Sequence, residues 1–358
     1  MKKINFILGS NANIPVGGYK IVFQYANELV KLNYDVSISF MYNLEQNKIK
    51  YFLKKLLKPI VIKMGSSHKK QITWFDLDSK IKIYFDVSTY NNIPDADFVI
   101  ATASQTSKFV SKLSSRKGEK YYFIQNYEDW VFEGHKGKVE DTYCLGLNNI
   151  VISKELSSIV EKASGVKPHY LPNFYDHNEF YIANPIKNRV NKVALLNHEQ
   201  STKRTKFGLE ILLEVKKSIP DLEIELFGSY PIKEKYPEYV HFTYKATSNQ
   251  LLHEIFGRSK IYLLPSVLEG WGLTGMEAMA CGAVLVSSEI GGIVEYANKN
   301  NSILIEPKRK NDFVEAIINL LRDEKKCETI AKKGNEEIQK FTIENSTKML
   351  ESILGLNH

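Results

Sequence analysis

KIYLLPSVLEGWGLTGMEAMACGAVLVSS, residues 260–288, is the stretch on which the fold turns. It opens with an apolar, aromatic-containing run, KIYLLPS (260–266), and closes with another, AVLVSS (283–288). Short apolar runs bounded by Gly and Pro are the pattern of strands buried on both faces of a parallel sheet. Between them, Leu, Met, Ala and Glu favour a helix beginning near Thr274 and covering 274–281. A strand, a loop, a helix and a second strand in so short a span make a βαβ unit.

The loop and helix carry Glu269 and Glu277, with seven residues between them. Gly270 and Gly272 allow a ligand close to the backbone. The free N–H groups of a helix N-terminus favour an anion such as a diphosphate. With Glu269 in the loop and Glu277 in the first helical turn, two carboxylates stand ready to accept hydrogen bonds from sugar hydroxyls. Together these features suit a nucleotide sugar, with its diphosphate on the helix end and a sugar on either side. The plainer alternative makes Glu269 a solvated loop residue and Glu277 a first-turn glutamate that complements the helix dipole.

Working outward, the same alternation fills the chain. INFIL (4–8), DVSISF (35–40), KIYF (82–85), DFVIAT (97–102), YYFIQ (121–125) and NIVIS (149–153) read as strands, with helices expected at 18–32, 104–114 and 153–164. The stretch 168–189, rich in Pro and Asn, breaks the pattern. Alternation then resumes with KVALLN (192–197), EIELFG (223–228), VHFT (240–243), KIYLLPS, AVLVSS and SILIE (302–306). Helices are expected near 205–218, 248–257, 274–281, 292–297 and 310–323, followed by a charged helical tail. This implies an α/β protein with two Rossmann-like parallel-sheet domains facing across a cleft. The expected boundaries are 1–170, a linker at 171–190, a second domain at 191–340, and a C-terminal helix at 341–358 returning toward the first domain. Ligands of such sheets bind beyond the carboxyl ends of the strands.

A length of 358 residues fits two domains, and 43% hydrophobic with 25% charged residues is a globular composition. No apolar run reaches the ~20 residues needed to span a bilayer. MKKINFILGSNANIP reads as a first strand, not a signal peptide, so a cytoplasmic protein is expected. Cys144, Cys281 and Cys327 have no metal spacing and are expected to be reduced and mostly buried. The net charge of +7 is concentrated in residues 48–70, which hold eight Lys and no acid. Leu53, Leu56, Leu57 and Ile60 share a helical spacing there, with Lys50, Lys54 and Lys58 on another face, and Pro59 ends or kinks the helix. An anionic membrane surface fits this segment better than nucleic acid, and an ordinary solvated helix is the alternative. DLD (76–78) and DAD (95–97) match a two-aspartate metal motif by letters alone, and no metal site is expected.

The longer run LLPSVLEGWGLTGMEAMACGAVLVSSEIGGIVEYANKNNSILIEP (263–307) resembles the signature of family 4 glycosyltransferases, which have the GT-B fold. The matching positions are Glu269, Glu277, Gly282, Gly291, Gly292 and Glu295. IPVGGYKIVFQYANELVKLNYDVSI (14–38) resembles the family's first loop and helix, LPNFYDHNEF (171–180) its interdomain segment, and FTIENSTKMLESIL (341–354) its terminal helix. The resemblance implies a retaining, metal-independent transferase whose donor is a nucleoside-diphosphate sugar, UDP- or dTDP-linked, with no other cofactor. It implies that Glu277 meets the ribose and Glu269 the transferred sugar. The amides near Gly270, Gly272, Leu273 and Thr274 would meet phosphate and sugar, and Gly17 and Gly18 would close over the diphosphate. The last pair also suits a plain helix-starting turn.

Two departures stand out. In LLNHEQSTKRTKFGLEIL (195–212), Lys203 matches the family's lysine, but Asn197 or His198 holds the arginine position; Arg204 is the candidate second cation for the departing diphosphate. After YYFIQ, where many members carry a histidine, IQNYEDW (124–130) places Gln125 and Asn126, and the nearest histidine is His135. This form resembles rhamnosyltransferases of bacterial surface-polysaccharide synthesis, so dTDP-rhamnose is the leading donor, with a UDP-hexose or UDP-N-acetylhexosamine as the alternative. Amides cannot act as bases, so Glu128 or Asp129 is a candidate to help activate the acceptor, a glycan or lipid-linked glycan. The alternative for this stretch is a surface turn with a buried Trp130. A catalytically silent nucleotide-sugar-binding partner is the rival of another class. An epimerase of the same shape would need acid and base groups that the sequence does not offer.

Overall fold

The computed structural model describes residues 1–11, 13–42, 71–132, 137–187, 189–232 and 235–356. The basic segment 48–70 and His135 lie outside the described residues. The expected strand runs, joined by a short strand at His169–Tyr170 inside the stretch expected to break the pattern, form two sheets in which every pairing is parallel. The first contains β1 (Lys3–Leu8), β2 (Asp35–Met41), β3 (Lys82–Val87), β4 (Phe98–Ala101), β5 (Glu119–Ile124), β6 (Asn148–Val151) and β7 (His169–Tyr170), in the order β3-β2-β1-β4-β5-β6-β7. The second contains β8 (Lys192–Leu196), β9 (Glu223–Gly228), β10 (Val240–Tyr244), β11 (Ile261–Leu264), β12 (Val284–Ser288) and β13 (Ile303–Ile305), in the order β10-β9-β8-β11-β12-β13. In each sheet the winding reverses beside the first strand. Ile4 pairs with Val36 on one side and Phe98 on the other. Val193 lies between Ile224 and Ile261 in the same way. These reversals are the topological switch points where such sheets bind ligands.

The central strands β11 and β12 read as apolar runs because both faces are covered, whereas the edge strands β3 and β10 are partly exposed. Val193, Leu195, Ile224, Leu226, Ile261, Leu263, Val284 and Val286 are all 0–1% exposed. Burying each such side chain is worth roughly 1.5–3 kcal/mol against leaving it in water. The covering helices are α1 (Gly17–Lys31), α2 (Ser104–Val110) and α3 (Lys154–Ser164) in the first half. The second half has α4 (Thr205–Ser218), α5 (Leu273–Ala280), α6 (Lys310–Arg322) and α7 (Glu324–Ile338), and α8 (Ile343–Ile353) follows. Two expected helices take wider or tighter forms: Ser248–Gln250 runs into a π-helical turn, Leu251–Phe256, and Gly291–Glu295 is a 3₁₀ turn. No helix among the described residues is long and apolar enough to cross a membrane.

The chain divides into two compact units, Met1–Pro172 with Ile343–His358, and Asn173–Thr342. Within the first, α8 is held by Tyr25 to Ser346, by Tyr34 Oη donating to Glu351 Oε1 (2.7 Å), and by Ser346 Oγ donating to Pro172 O (2.9 Å). Residues 173–190, expected as a linker, pack inside the second unit. Phe174, Tyr175 and Phe180 are buried, and the Arg189 guanidinium donates to the carbonyls of Asn184, Pro185, Phe256, Ser259 and Cys281. Abundant Pro and Asn exclude a helix there; they do not exclude burial.

Candidate functional site

β8 and β11 lie side by side at the second switch point, and their carboxyl ends lead into the loops that carry Lys203 and Glu269. The two loops are joined by the Val267 N–H, which donates to Thr202 O at 2.8 Å. A half-buried Lys203 then places its Nζ 2.7 Å from Oε2 of Glu269, whose side chain is only 8% exposed. The other oxygen, Oε1, accepts from Ser266 Oγ at 2.8 Å, and Ser266 is fully buried. The reading of Glu269 as a solvated loop residue therefore does not fit the structure. Ser266 closes the strand run KIYLLPS, yet nothing in its letters signals this contact; Ser at a strand end is common.

α5 begins after Gly272, whose φ of +77° is the left-handed turn that lets the loop enter the helix. The helix starts at Leu273, one residue earlier than expected. Glu277 consequently lies in the second turn, and no acidic residue occupies the first. A dipole-complementing role, which fades beyond the first turn, is thereby weakened. Glu277 is 8% exposed. Leu273 and Thr274 are half-buried, and Thr274 Oγ1 accepts from Tyr262 Oη at 2.8 Å. The helix ends with paired bonds from Gly282 N to Met279 O and Ala283 N to Ala278 O, which accounts for Gly282 as its stop. The Gly291–Gly292 turn supports the loop from behind: Tyr296 Oη donates to Gly272 O at 2.8 Å, and a Cβ on Gly292 would meet Gly270 O at 2.1 Å. The glycine of this turn thus serves backbone packing. Glu295 is half-buried.

Arg204 is engaged with Phe207 and with the carbonyls of Pro307 and, at 3.5 Å, Pro265. It adopts φ +53°, stacks its guanidinium 3.5 Å from the Phe207 ring centroid, and donates to Pro307 O at 2.6 Å. Burial lowers its pKa. At the family's arginine position, Asn197 Nδ2 donates to Tyr230 O (2.7 Å), while His198 Nδ1 accepts from Gln200 N (3.0 Å) and its ring meets Tyr230 edge-on. Burial, with the Lys203 charge nearby, holds the imidazole below its ordinary value, which favours its neutral form.

In the first unit, Gly17 and Gly18 open α1 behind an extended Val16. Gln125, at the carboxyl end of β5, donates through Nε2 to Gly18 O at 3.2 Å, so these two expected site elements meet. Asn126 Oδ1 accepts from its neighbour Tyr127 N at 2.9 Å. Glu128 accepts from Ser104 N at 2.7 Å, supplying the cap that Ala103 cannot. Burial pushes the Glu128 carboxyl upward. Asp129 is exposed, and Trp130 is 37% exposed, not buried as the surface-turn alternative supposes. The lettered aspartate motifs have structural partners: Asp95 pairs with Lys117, Asp97 accepts from Lys3 N, and Asp78 from Lys80 N. Among the described residues no three His, Cys, Asp or Glu side chains are grouped to hold a metal.

Residues 185–337 match the family model of glycosyl transferases group 1. An uncharacterized glycosyltransferase of Methanocaldococcus jannaschii is 28% identical over 196 residues, 49% of this chain and 54% of that protein. This chain's match thus spans about half of that relative's length. Sucrose-phosphate synthase from Thermosynechococcus elongatus superposes with a TM-score of 0.73 at 14% identity, covering 99% of this chain and 98% of that one. HepE of Anabaena, in complex with UDP-glucose, superposes with a TM-score of 0.73 at 14% identity, covering 99% and 100%. The fold is that of GT-B glycosyltransferases: two Rossmann-like parallel-sheet domains.

Proposed function

We propose that the chain is a retaining glycosyltransferase that takes a sugar from a nucleoside-diphosphate sugar. The observation that carries the proposal is the pairing of Lys203 with a buried Glu269 at the carboxyl ends of β8 and β11, followed on α5 by a second buried glutamate, Glu277. In this reading Glu277 accepts from the ribose hydroxyls and Glu269 from those of the transferred sugar. Lys203 and the amides opening α5 meet the diphosphate, and stabilise the charge it gains on leaving. The anomeric carbon–phosphate oxygen bond breaks while the acceptor hydroxyl attacks on the same face. Its proton passes to the departing phosphate oxygen, so no enzyme base is required. The roles expected of Gly17, Gly18, Gln125 and Asn126 belong to the same proposal. Arg204 would take part only by leaving the carbonyls of Pro307 and Pro265.

Two donors merit direct comparison. The IQNYEDW stretch supports dTDP-rhamnose and a place in bacterial surface-polysaccharide synthesis. The UDP-glucose in the HepE structure supports a UDP-hexose instead. Thermal melting with each donor in turn tests both. A ligand at about 100 times its Kd adds ~2.7 kcal/mol of stability. The true donor should raise the melting temperature by several degrees, and Glu277→Ala should abolish the rise. An unchanged rise in the variant removes the ribose assignment. Binding without turnover of any donor, with acceptor glycans supplied, would favour the silent-partner reading.

A further inference from the structure

The residues given to the leaving phosphate and to the transferred sugar are bonded to each other. Lys203 Nζ lies 2.7 Å from Glu269 Oε2, and Ser266 Oγ fixes the opposite oxygen at 2.8 Å. The Val267–Thr202 backbone bond holds the two loops together. To an ammonium group, a carboxylate oxygen and a phosphate oxygen are both anionic acceptors of a charge-assisted hydrogen bond. We propose that Glu269 is an internal competitor of the donor's phosphates for Lys203, and that this competition discriminates intact donor from spent nucleoside diphosphate. The inference rests on the donor-site reading above.

Drawing Lys203 onto a phosphate strips Glu269 of its counter-charge. The carboxylate is 8% exposed and, among the described residues, keeps the Ser266 hydroxyl as its remaining hydrogen-bond donor. A buried charge left in that state is costly. A nucleotide sugar offers hydroxyls that donate to the vacated oxygen and offset this cost. A nucleoside diphosphate without its sugar offers none. The ion pair therefore penalises the product selectively, re-forms as the sugar departs, and expels the nucleotide. Ser266 is the positioning residue, because it holds one oxygen and directs the other to Lys203.

Calorimetry on the full chain tests this with UDP, dTDP, UDP-glucose and dTDP-rhamnose. Glu269→Gln keeps the shape and removes the charge, leaving Lys203 only a neutral amide partner. The nucleoside diphosphate that the wild type binds should bind the variant about 5- to 10-fold more tightly, the scale of one lost charge-assisted contact. The matching nucleotide sugar should gain less, or lose affinity. Glu269→Asp, whose carboxylate is drawn back by one methylene, should tighten the diphosphate by an intermediate factor, and serves if the glutamine variant does not fold. Lys203→Met should weaken both ligands. Unchanged or weaker diphosphate binding in Glu269→Gln and Glu269→Asp overturns the competition while leaving the donor-site reading intact. Failure of the wild type to bind any of the four ligands overturns both.

Discussion

Arg189 offers the most direct test of how the second unit is built. The residue is 7% exposed, and its guanidinium donates to five carbonyl oxygens. Nη2 donates to Asn184 O (2.9 Å) and to Cys281 O (2.8 Å), the residue capping the C-terminus of α5. Nη1 donates to Ser259 O (3.0 Å) and Phe256 O (3.3 Å), at the end of the π-helical turn, and Nε to Pro185 O (3.2 Å). Helix C-termini favour a cation, which offsets part of the cost of burying one. Arg189→Met removes that burial cost but strips the donors from buried carbonyls, and we expect a net loss of about 3–5 kcal/mol. For a domain of this size that corresponds to a fall in melting temperature of roughly 6–20 °C. Lysine brings charge without the planar fork, so Arg189→Lys should recover no more than about half. Scanning calorimetry and urea titration of the full chain measure both. A loss below about 1 kcal/mol in Arg189→Met, less than a typical single hydrogen bond would account for, would refute the reasoning and return residues 173–190 to the status of a loose tether.

Burial pushes the Cys281 thiol up to about 12, with Glu277 adding to the shift, and the Cys327 thiol up to about 11. The exposed Cys144 should therefore be the sole site of iodoacetamide labelling in the native protein at about pH 8, and native labelling of Cys281 would contradict this. Above about pH 9 the unfolded thiols release protons that the native ones keep, so stability falls as pH rises from about 9 toward 12. Cys281→Ala should flatten that fall, and an identical slope would refute the assignment. Gly292→Ala sets a Cβ 2.1 Å from Gly270 O and 2.7 Å from Trp271 Cα, both backbone atoms that cannot rotate away. It should cost about 1–3 kcal/mol and reduce nucleotide-induced stabilisation; wild-type melting with full ligand response would show that the turn does not hold the loop.

The central strands are legible because a doubly covered parallel strand is apolar on both faces, which leaves a run such as IYLL or AVLV. The position of Glu277 is less so. Its assignment to a first or second turn depends on one residue of helix boundary, set by the left-handed Gly272, a conformation that letters do not record. The segment after β7 reads as a linker because composition reports which elements cannot form, not what packs; Phe174, Tyr175 and Phe180 stand in plain view, but their burial does not. At the site, the spacing of the two glutamates is readable. The Ser266–Glu269–Lys203 chain is not, because Lys203 is brought to Glu269 from 66 residues away by the adjacency of β8 and β11.

That adjacency also narrows where positive charge can come from. Three residues in the loop after β8 are candidates to balance a departing diphosphate. His198 is biased toward the neutral form by burial and the nearby lysine, and its Nδ1 already accepts from Gln200 N, a bond that protonation at Nδ1 would break. Arg204 keeps its charge but stacks on Phe207 and binds Pro307 O. Lys203 remains, aided by the partial charge of about +0.5 at the start of α5. A site with several cations would feel little from one internal carboxylate. On the proposed reading, Lys203 is the one ammonium that the loop after β8 offers among the described residues, so the carboxylate that holds it would govern when that charge becomes available, giving Glu269 leverage over product as well as donor.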